Sequence, residues 1–190
     1  MEKFNHSLQS AKTRIIMSTD SDLLSPSLEN NVYESCKIYA PYLEKESTKV
    51  SIEKDRLSFN NAPAGFSFSP GEIYEYALFA VPIIGDLEVF AEVAKGHFYS
   101  GNNKFVSGKI LYYKEFSEQP IAGNDGIIES IKGRAKIAIN SVQTSLDAFK
   151  DKVDLFNENE LKSNISEWIR EEKEKRNMKS DAEDKLNPFA

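Results

Sequence analysis

Cysteine is nearly absent from this chain, with Cys36 its single instance. One thiol excludes an internal disulfide and any zinc site built from several cysteines. Histidine is almost as scarce, represented only by His6 and His97, a poor basis for a metal centre or an acid–base site. Long apolar runs are missing as well. The longest, Tyr76 to Ile84, is about half of a bilayer-spanning helix, and Met1-Glu-Lys-Phe-Asn-His lacks the apolar stretch of a secretory signal. A cytoplasmic location is expected, with no membrane partner. No glycine-rich phosphate loop is present, because Gly123, Gly126 and Gly133 match neither nucleotide pattern. Acidic groups outnumber basic ones, 30 against 24, for a net charge of −6. That balance argues against coating nucleic acid by bulk charge and leaves only local basic patches.

What is present suits a folded protein. A chain of 190 residues, 40% hydrophobic and 28% charged, is long enough to bury a core in one domain or somewhat more. Its texture changes along its length. The first part is rich in Tyr, Phe, Val and Ser with Gly and Pro punctuation; after Gly133 neither Gly nor Pro recurs until Pro188. The reading is a β-rich domain over 1–118 and a helical interaction segment over 119–190, joined by the stretch holding Pro120, Gly123 and Gly126.

Within the first part, Ser7 to Met17 is compatible with a short helix or a strand. Val32, Cys36, Tyr39 and Leu43 recur at steps of four, three and four, predicting a one-faced helix kinked at Pro41. From Val50 the period becomes two. Val50/Ile52 and Leu57/Phe59 around Glu53-Lys-Asp-Arg predict a hairpin. Phe66 and Phe68 alternate before a turn at Ser69-Pro-Gly-Glu. Further strands are predicted over Tyr74–Ile84, over Leu87 to Tyr99 with a turn at Ser100–Lys104, and over Phe105–Phe116 with Ile110, Tyr112 and Lys114 on one face. Short connections make the set antiparallel. In the second part Ile128, Ile131, Ala135, Ile139, Val142, Leu146, Phe149, Val153 and Phe156 form a helical stripe behind an Asn124-Asp125 cap. Leu161, Ile165, Trp168 and Ile169 line a second helix that runs into the ion-paired Arg170-Glu-Glu-Lys-Glu-Lys-Arg176. The fold class is α+β: an antiparallel sheet or sandwich with a short N-terminal helix, then a C-terminal helical hairpin or a long helical rod.

Candidate chemistry is thin. Cys36 lies on the apolar side of a predicted helix and reads as a packed thiol rather than a nucleophile. Asp86 with Glu92-Val-Ala-Lys95 approaches a metal-nuclease pattern, but the Glu–Lys spacing is one residue too long. Lys132, Arg134 and Lys136 are candidate phosphate contacts, although residues two apart on a helix diverge by about 200°. Arg170, Lys173, Lys175 and Arg176 are further candidates, interspersed with Glu171, Glu172 and Glu174. Tyr74, Tyr76, Phe79, Tyr99, Tyr112 and Tyr113 are numerous enough to stack bases, but in strands core packing explains them more simply. The stripe from Ile128 to Phe156 is on the order of 43 Å long, whereas a strand of 6–10 residues reaches about 20–33 Å. Part of it needs another partner. Leu146, Phe149, Val153, Phe156 and Trp168 are therefore the expected interface with another chain, Trp168 being the best single anchor.

The segment Val81-Pro-Ile-Ile-Gly-Asp-Leu-Glu-Val-Phe90 resembles a recurrent segment of uncharacterised bacterial proteins, of the form Val-Pro-Phe-x-Gly-Asp-x-Glu-Leu-Phe. There a Gly-containing hydrophobic strand follows, here Val106-Ser-Gly-Lys-Ile-Leu-Tyr-Tyr113, then a long helix ending in Phe-Asn, here Phe156-Asn157. Leu161, Ile165, Ile169 and the tract Arg170-Glu-Glu-Lys173 continue the order. In some members a restriction-endonuclease-like domain comes after this module. Two departures stand out: one extra residue between Asn157 and Leu161, and Leu186-Asn-Pro-Phe189 in place of Leu-Gly-x-Pro. The nuclease domain is absent from this sequence, so no catalytic residue carries over. The resemblance implies a non-catalytic accessory or sensor module of a bacterial, anti-phage nuclease system, acting by protein–protein contact with itself (a homo-oligomer) or with a nuclease subunit. A nucleic-acid-binding module that positions a nuclease is the alternative, and a small hydrolase using Cys36 or His97 ranks below both. No cofactor or metal is expected.

Overall fold

The computed structural model describes residues 2–98 and 103–186. Tyr99, most of the turn expected at Ser100–Lys104, Pro188 and Phe189 lie outside them. The chain is α+β, with a five-stranded antiparallel sheet, an N-terminal helix and a long C-terminal helix. By compactness it divides into two units, one made of residues 1–39 with 151–190 and the other of 40–150. The junction read from composition at 118–119 falls inside the second of these.

In the first unit, residues 2–36 contain three helices: α1 (Glu2–Met17), α2 (Asp20–Leu24) and α3 (Leu28–Cys36). Thr19 starts α2 through a capping box, its hydroxyl accepting from Asp22 N–H while the Asp22 carboxylate accepts from Thr19 N–H. The helix expected to run to Leu43 ends at Cys36, with Lys37 already extended at φ −61°, ψ 148°. Tyr39, assigned to its buried face, is exposed. The residue ahead of a proline, here Ala40, avoids helical backbone, and the helix ends short of Pro41 instead of continuing through it with a kink.

The second unit holds the sheet. Its strands are β1 (Tyr42–Leu43), β2 (Lys49–Arg56), β3 (Ile73–Ile84), β4 (Lys104–Ser107) and β5 (Ile110–Ser117). β3 is central, paired with β5 on one side and with both β1 and β2 on the other, and β4 flanks β5. This is one sheet, not a sandwich. Four sequence expectations need correction. Glu53-Lys-Asp-Arg is not a turn, because β2 runs straight through it. Phe105–Phe116 is two strands joined at Gly108, whose φ of 58° suits a residue without a Cβ. The core face of β5 carries Leu111 and Tyr113, opposite in phase to Ile110, Tyr112 and Lys114. Leu87 to Ala94 is a helix, α4, because the Asp86 carboxylate accepts from Glu88 N–H (3.1 Å) and Val89 N–H (3.4 Å) and so caps it.

The C-terminal helix is continuous from Asp125 to Leu186. Helix α5 (Asp125–Leu155) passes through a π-helical turn, Phe156–Leu161, into α6 (Lys162–Leu186). The rod is the form adopted, not the hairpin. Lys162 N–H reaches back to Asn157 C=O, a bond spanning five residues instead of four. The residue counted as extra between Asn157 and Leu161 falls inside this turn.

Both halves of the stripe find cover within their own units. Ile131, Ala135, Ile139, Val142 and Leu146 pack with Ala77, Phe79, Val81, Ile83, Leu111 and Tyr113 of the sheet. Val153, Phe156, Leu161 and Ile165 are buried in the helical unit, where the π-turn and α6 pack against α1 and α6 also against α3. Phe4 stacks on Phe156 at 4.3 Å between ring centroids. The second partner of the stripe is thus the chain's own N-terminal helices. The other sheet face is partly covered by the loop after β2, where Leu57, Tyr76 and Phe116 form a small core joined by Phe66 and Phe68.

Candidate functional site

The five residues expected at an interface separate into two kinds. Leu146, Val153 and Phe156 are at most 1% exposed, so their side chains cannot meet another chain while the fold stays intact. That expectation is corrected: they are core. Phe149 and Trp168 are half-buried, and Lys12 Nζ sits 5.4 Å from the centre of the Trp168 ring, a cation–π contact that ties α6 to α1.

The candidate phosphate contacts also divide. Arg134 is taken by Glu115, Nε to Oε1 at 2.5 Å, and by Ser130 Oγ at 2.7 Å. Glu115 in turn accepts from the Tyr113 hydroxyl; burial first, then this carboxylate, pushes the Tyr113 phenol well above the usual range. Arg176 holds Glu172 (2.9 Å), Asp20 (2.7 Å) and the Ile16 carbonyl (3.1 Å), and so joins α6 to the end of α1 and the start of α2. Arg170 and Lys175 pair with Glu167 and Glu172 at 3.7 Å, while Lys173 is half-buried on the same helix. Lys132 and Lys136, four apart and hence on one face, meet Lys45 around an open groove of about 510 Å³ floored by Phe79 and Ile139. Glu129 neutralises Lys132 at 2.6 Å. Lys45, which no sequence pattern linked to α5, donates to Asn140 Oδ1 at 3.2 Å.

The groups considered for catalysis are held in structural bonds. Cys36 is buried, its Sγ 3.6 Å from Ser35 Oγ, and its carbonyl accepts from Ser7 Oγ. His97 lies in a 3-10 turn, not a strand, and its Nε2 is 2.8 Å from Ser145 Oγ on α5. Burial, with the charge of Lys104, lowers the His97 pKa. A serine–histidine pair performs acyl chemistry when a third group orients the imidazole and donors await an oxyanion. Here the Ser145 hydroxyl also points at the Ser141 carbonyl (3.4 Å), and the pair fastens the 3-10 turn to α5. Among the described residues no group of three or more His, Cys, Asp or Glu is placed to hold a metal ion.

The feature that sequence reasoning missed is the edge of the sheet. β2 is exposed along nearly its whole length, Val50 by 57% and Ile52 by 49%. Its ladder to β3 has a definite phase. Leu57 N–H donates to Glu72 C=O at 3.0 Å, in the register that pairs Lys49 with Ala80. Bonded and non-bonded pairs alternate in an antiparallel ladder, so Lys49, Ser51, Glu53 and Asp55 bond to β3. The N–H and C=O groups of Val50, Ile52 and Lys54 point the other way. The opposite side of β3 agrees, since Ile83 N–H donates to Lys109 C=O at 2.8 Å in the β3–β5 register, which assigns odd-numbered residues of β3 to β5 and even ones to β2. At the end of the strand the Arg56 carbonyl is taken by Asn61 Nδ2 at 3.0 Å. Among the described residues the open edge therefore centres on Val50 to Lys54. No family model, curated protein or solved structure matches the chain.

Proposed function

We propose that this chain is a non-catalytic accessory or sensor module of a bacterial nuclease-type defence system, and that it works by binding protein. The observation that supports it is the open edge of β2. An unpaired strand edge is a template for an extended polypeptide segment, which it recognises through main-chain hydrogen bonds. Exposed Val50 and Ile52 add apolar contact on one face. The link to a nuclease rests on the resemblance of Val81–Phe90 and the order of segments after it. Isolation of the tagged full chain from the cells that encode it tests the reading. A nuclease subunit should accompany the wild-type chain in fixed proportion and be lost with an edge-blocking Ile52→Pro variant. A chain that returns with no nuclease subunit overturns it.

One observation favours nucleic acid as a second reading, namely the convergence of Lys45, Lys132 and Lys136 on one groove. Phosphate contacts there would give an affinity that falls steeply with salt. Lys132→Glu with Lys136→Glu should then abolish binding, and a flat titration of the wild-type chain at low salt removes this alternative.

A further inference from the structure

An exposed strand edge usually carries charge that deters pairing with another chain. The sequence of β2, Lys-Val-Ser-Ile-Glu-Lys-Asp-Arg, does carry charge, but of both signs, and its first five residues, Lys49 to Glu53, are complementary to their own reverse. We propose that β2 pairs antiparallel with β2 of a second copy across a two-fold axis at Ser51, joining two five-stranded sheets edge to edge. The proposal rests on the reading of β2 as a protein-binding edge and names the occupant.

The axis position follows from the residues. Centred on Ser51, Lys49 faces Glu53 of the second copy and Val50 faces its Ile52, each pair occurring twice. Opposite charges and apolar residues therefore meet their own kind of partner, the arrangement that stabilises cross-strand pairs. An axis at Ile52 sets Val50 against Lys54. An axis at Glu53 sets that carboxylate against itself, and one at Lys54 adds Glu53 against Asp55. The ladder phase agrees, because Val50 and Ile52 are residues whose main-chain groups point outward and can bond across the axis. Ser51 then occupies a non-hydrogen-bonded pair with its own copy.

That geometry makes a direct test. In a non-hydrogen-bonded pair the Cα atoms are about 4.5 Å apart, within the roughly 4.4–6.8 Å that a disulfide spans. The full chain carrying Cys36→Ala and Ser51→Cys should oxidise to a covalent dimer much faster than the same chain carrying Ser58→Cys, an exposed control outside the strand. Without the cysteine changes, sedimentation across a concentration series should show a reversible dimer. Ile52→Pro removes an outward N–H and spares the ladder to β3, as edge prolines do, so it should give a folded monomer. Should that variant unfold, Lys49→Glu sets two like-charge pairs across the axis and should weaken the dimer several-fold. A wild-type chain that is monomeric throughout, with Ser51→Cys crosslinking no faster than Ser58→Cys, overturns self-pairing. If such a monomer still retains a nuclease subunit through β2, self-pairing alone has failed. If the dimer forms through Ser51 and no nuclease subunit accompanies it, self-pairing stands and the functional reading falls.

Discussion

Asn157 is buried to 8% exposure in the helical unit, and its amide makes both bonds that a neighbouring strand would make. Its Oδ1 accepts from Ile38 N–H at 3.0 Å and its Nδ2 donates to Ile38 C=O at 2.8 Å. The side chain thus anchors the extended segment after α3 to the π-turn. Asn157→Leu keeps the branched shape and the number of heavy atoms and removes both bonds, leaving a buried N–H and a buried C=O without partners. Each such group costs about 1–3 kcal/mol, so about 4 kcal/mol for the two at mid-range, and the added apolar burial returns about 1–2 kcal/mol, for a net loss of about 2–3 kcal/mol. The single tryptophan, Trp168, belongs to the same unit, so its fluorescence reports this loss directly in urea. With a slope of about 1–3 kcal/mol per molar, the midpoint should fall by about 1–3 M. A loss below about 0.5 kcal/mol, the range of surface substitutions, would refute the argument that these two bonds fasten the segment.

Leu146 and Phe149 should respond differently to the same change. Leu146→Asp places a carboxylate in the sheet core and should unfold it, costing more than about 3–5 kcal/mol, whereas half-buried Phe149→Asp should leave a folded chain; circular dichroism melts of the two decide this. Alkaline stability should decline early. The Tyr76 phenol is pushed up to about 12 by burial and by its bond to Glu53, so the folded state holds its proton more tightly than the unfolded one. That contribution is complete below about pH 10, the unfolded value, and is lost as pH rises through 12; Tyr76→Phe should flatten the loss, seen in melting temperature against pH. Acid should act through His97, whose pKa is lowered in the fold. Its contribution is present above about pH 6.5 and lost below it, and an unchanged profile in His97→Gln would contradict this.

How far the fold could be read depends on what covers each element. β3 and α5 announce themselves, because Tyr76, Ala77, Phe79, Val81 and Ile83 are buried on a central strand and the stripe Ile131 to Leu146 holds one period. β2 has no such pattern. Its residues are exposed on both faces, so the polar cluster Glu53-Lys-Asp-Arg imitates a turn. β5 misled in phase because α5 covers one face and the loop bearing Phe66 and Phe68 covers part of the other, leaving apolar residues on both. α4 was concealed by its density of apolar residues, and the Asp86 cap was the available signal. For the site, Lys132 and Lys136 could be singled out by charge. Lys45 and the phase of the β2 ladder depend on pairing between segments distant in sequence, which one sequence does not encode locally.

The central claim is that β2 binds protein along its open edge, and residue-resolved amide exchange tests it most directly. Val50, Ile52 and Lys54 point their N–H groups away from β3, while Ser51, Glu53 and Asp55 point theirs toward it. In dilute chain the first three amides should exchange fast and the second three slowly. With rising concentration, or with a nuclease subunit present, Val50 and Ile52 should become protected while the slow set stays unchanged. Exchange at Val50 and Ile52 that remains fast under both conditions would contradict the account.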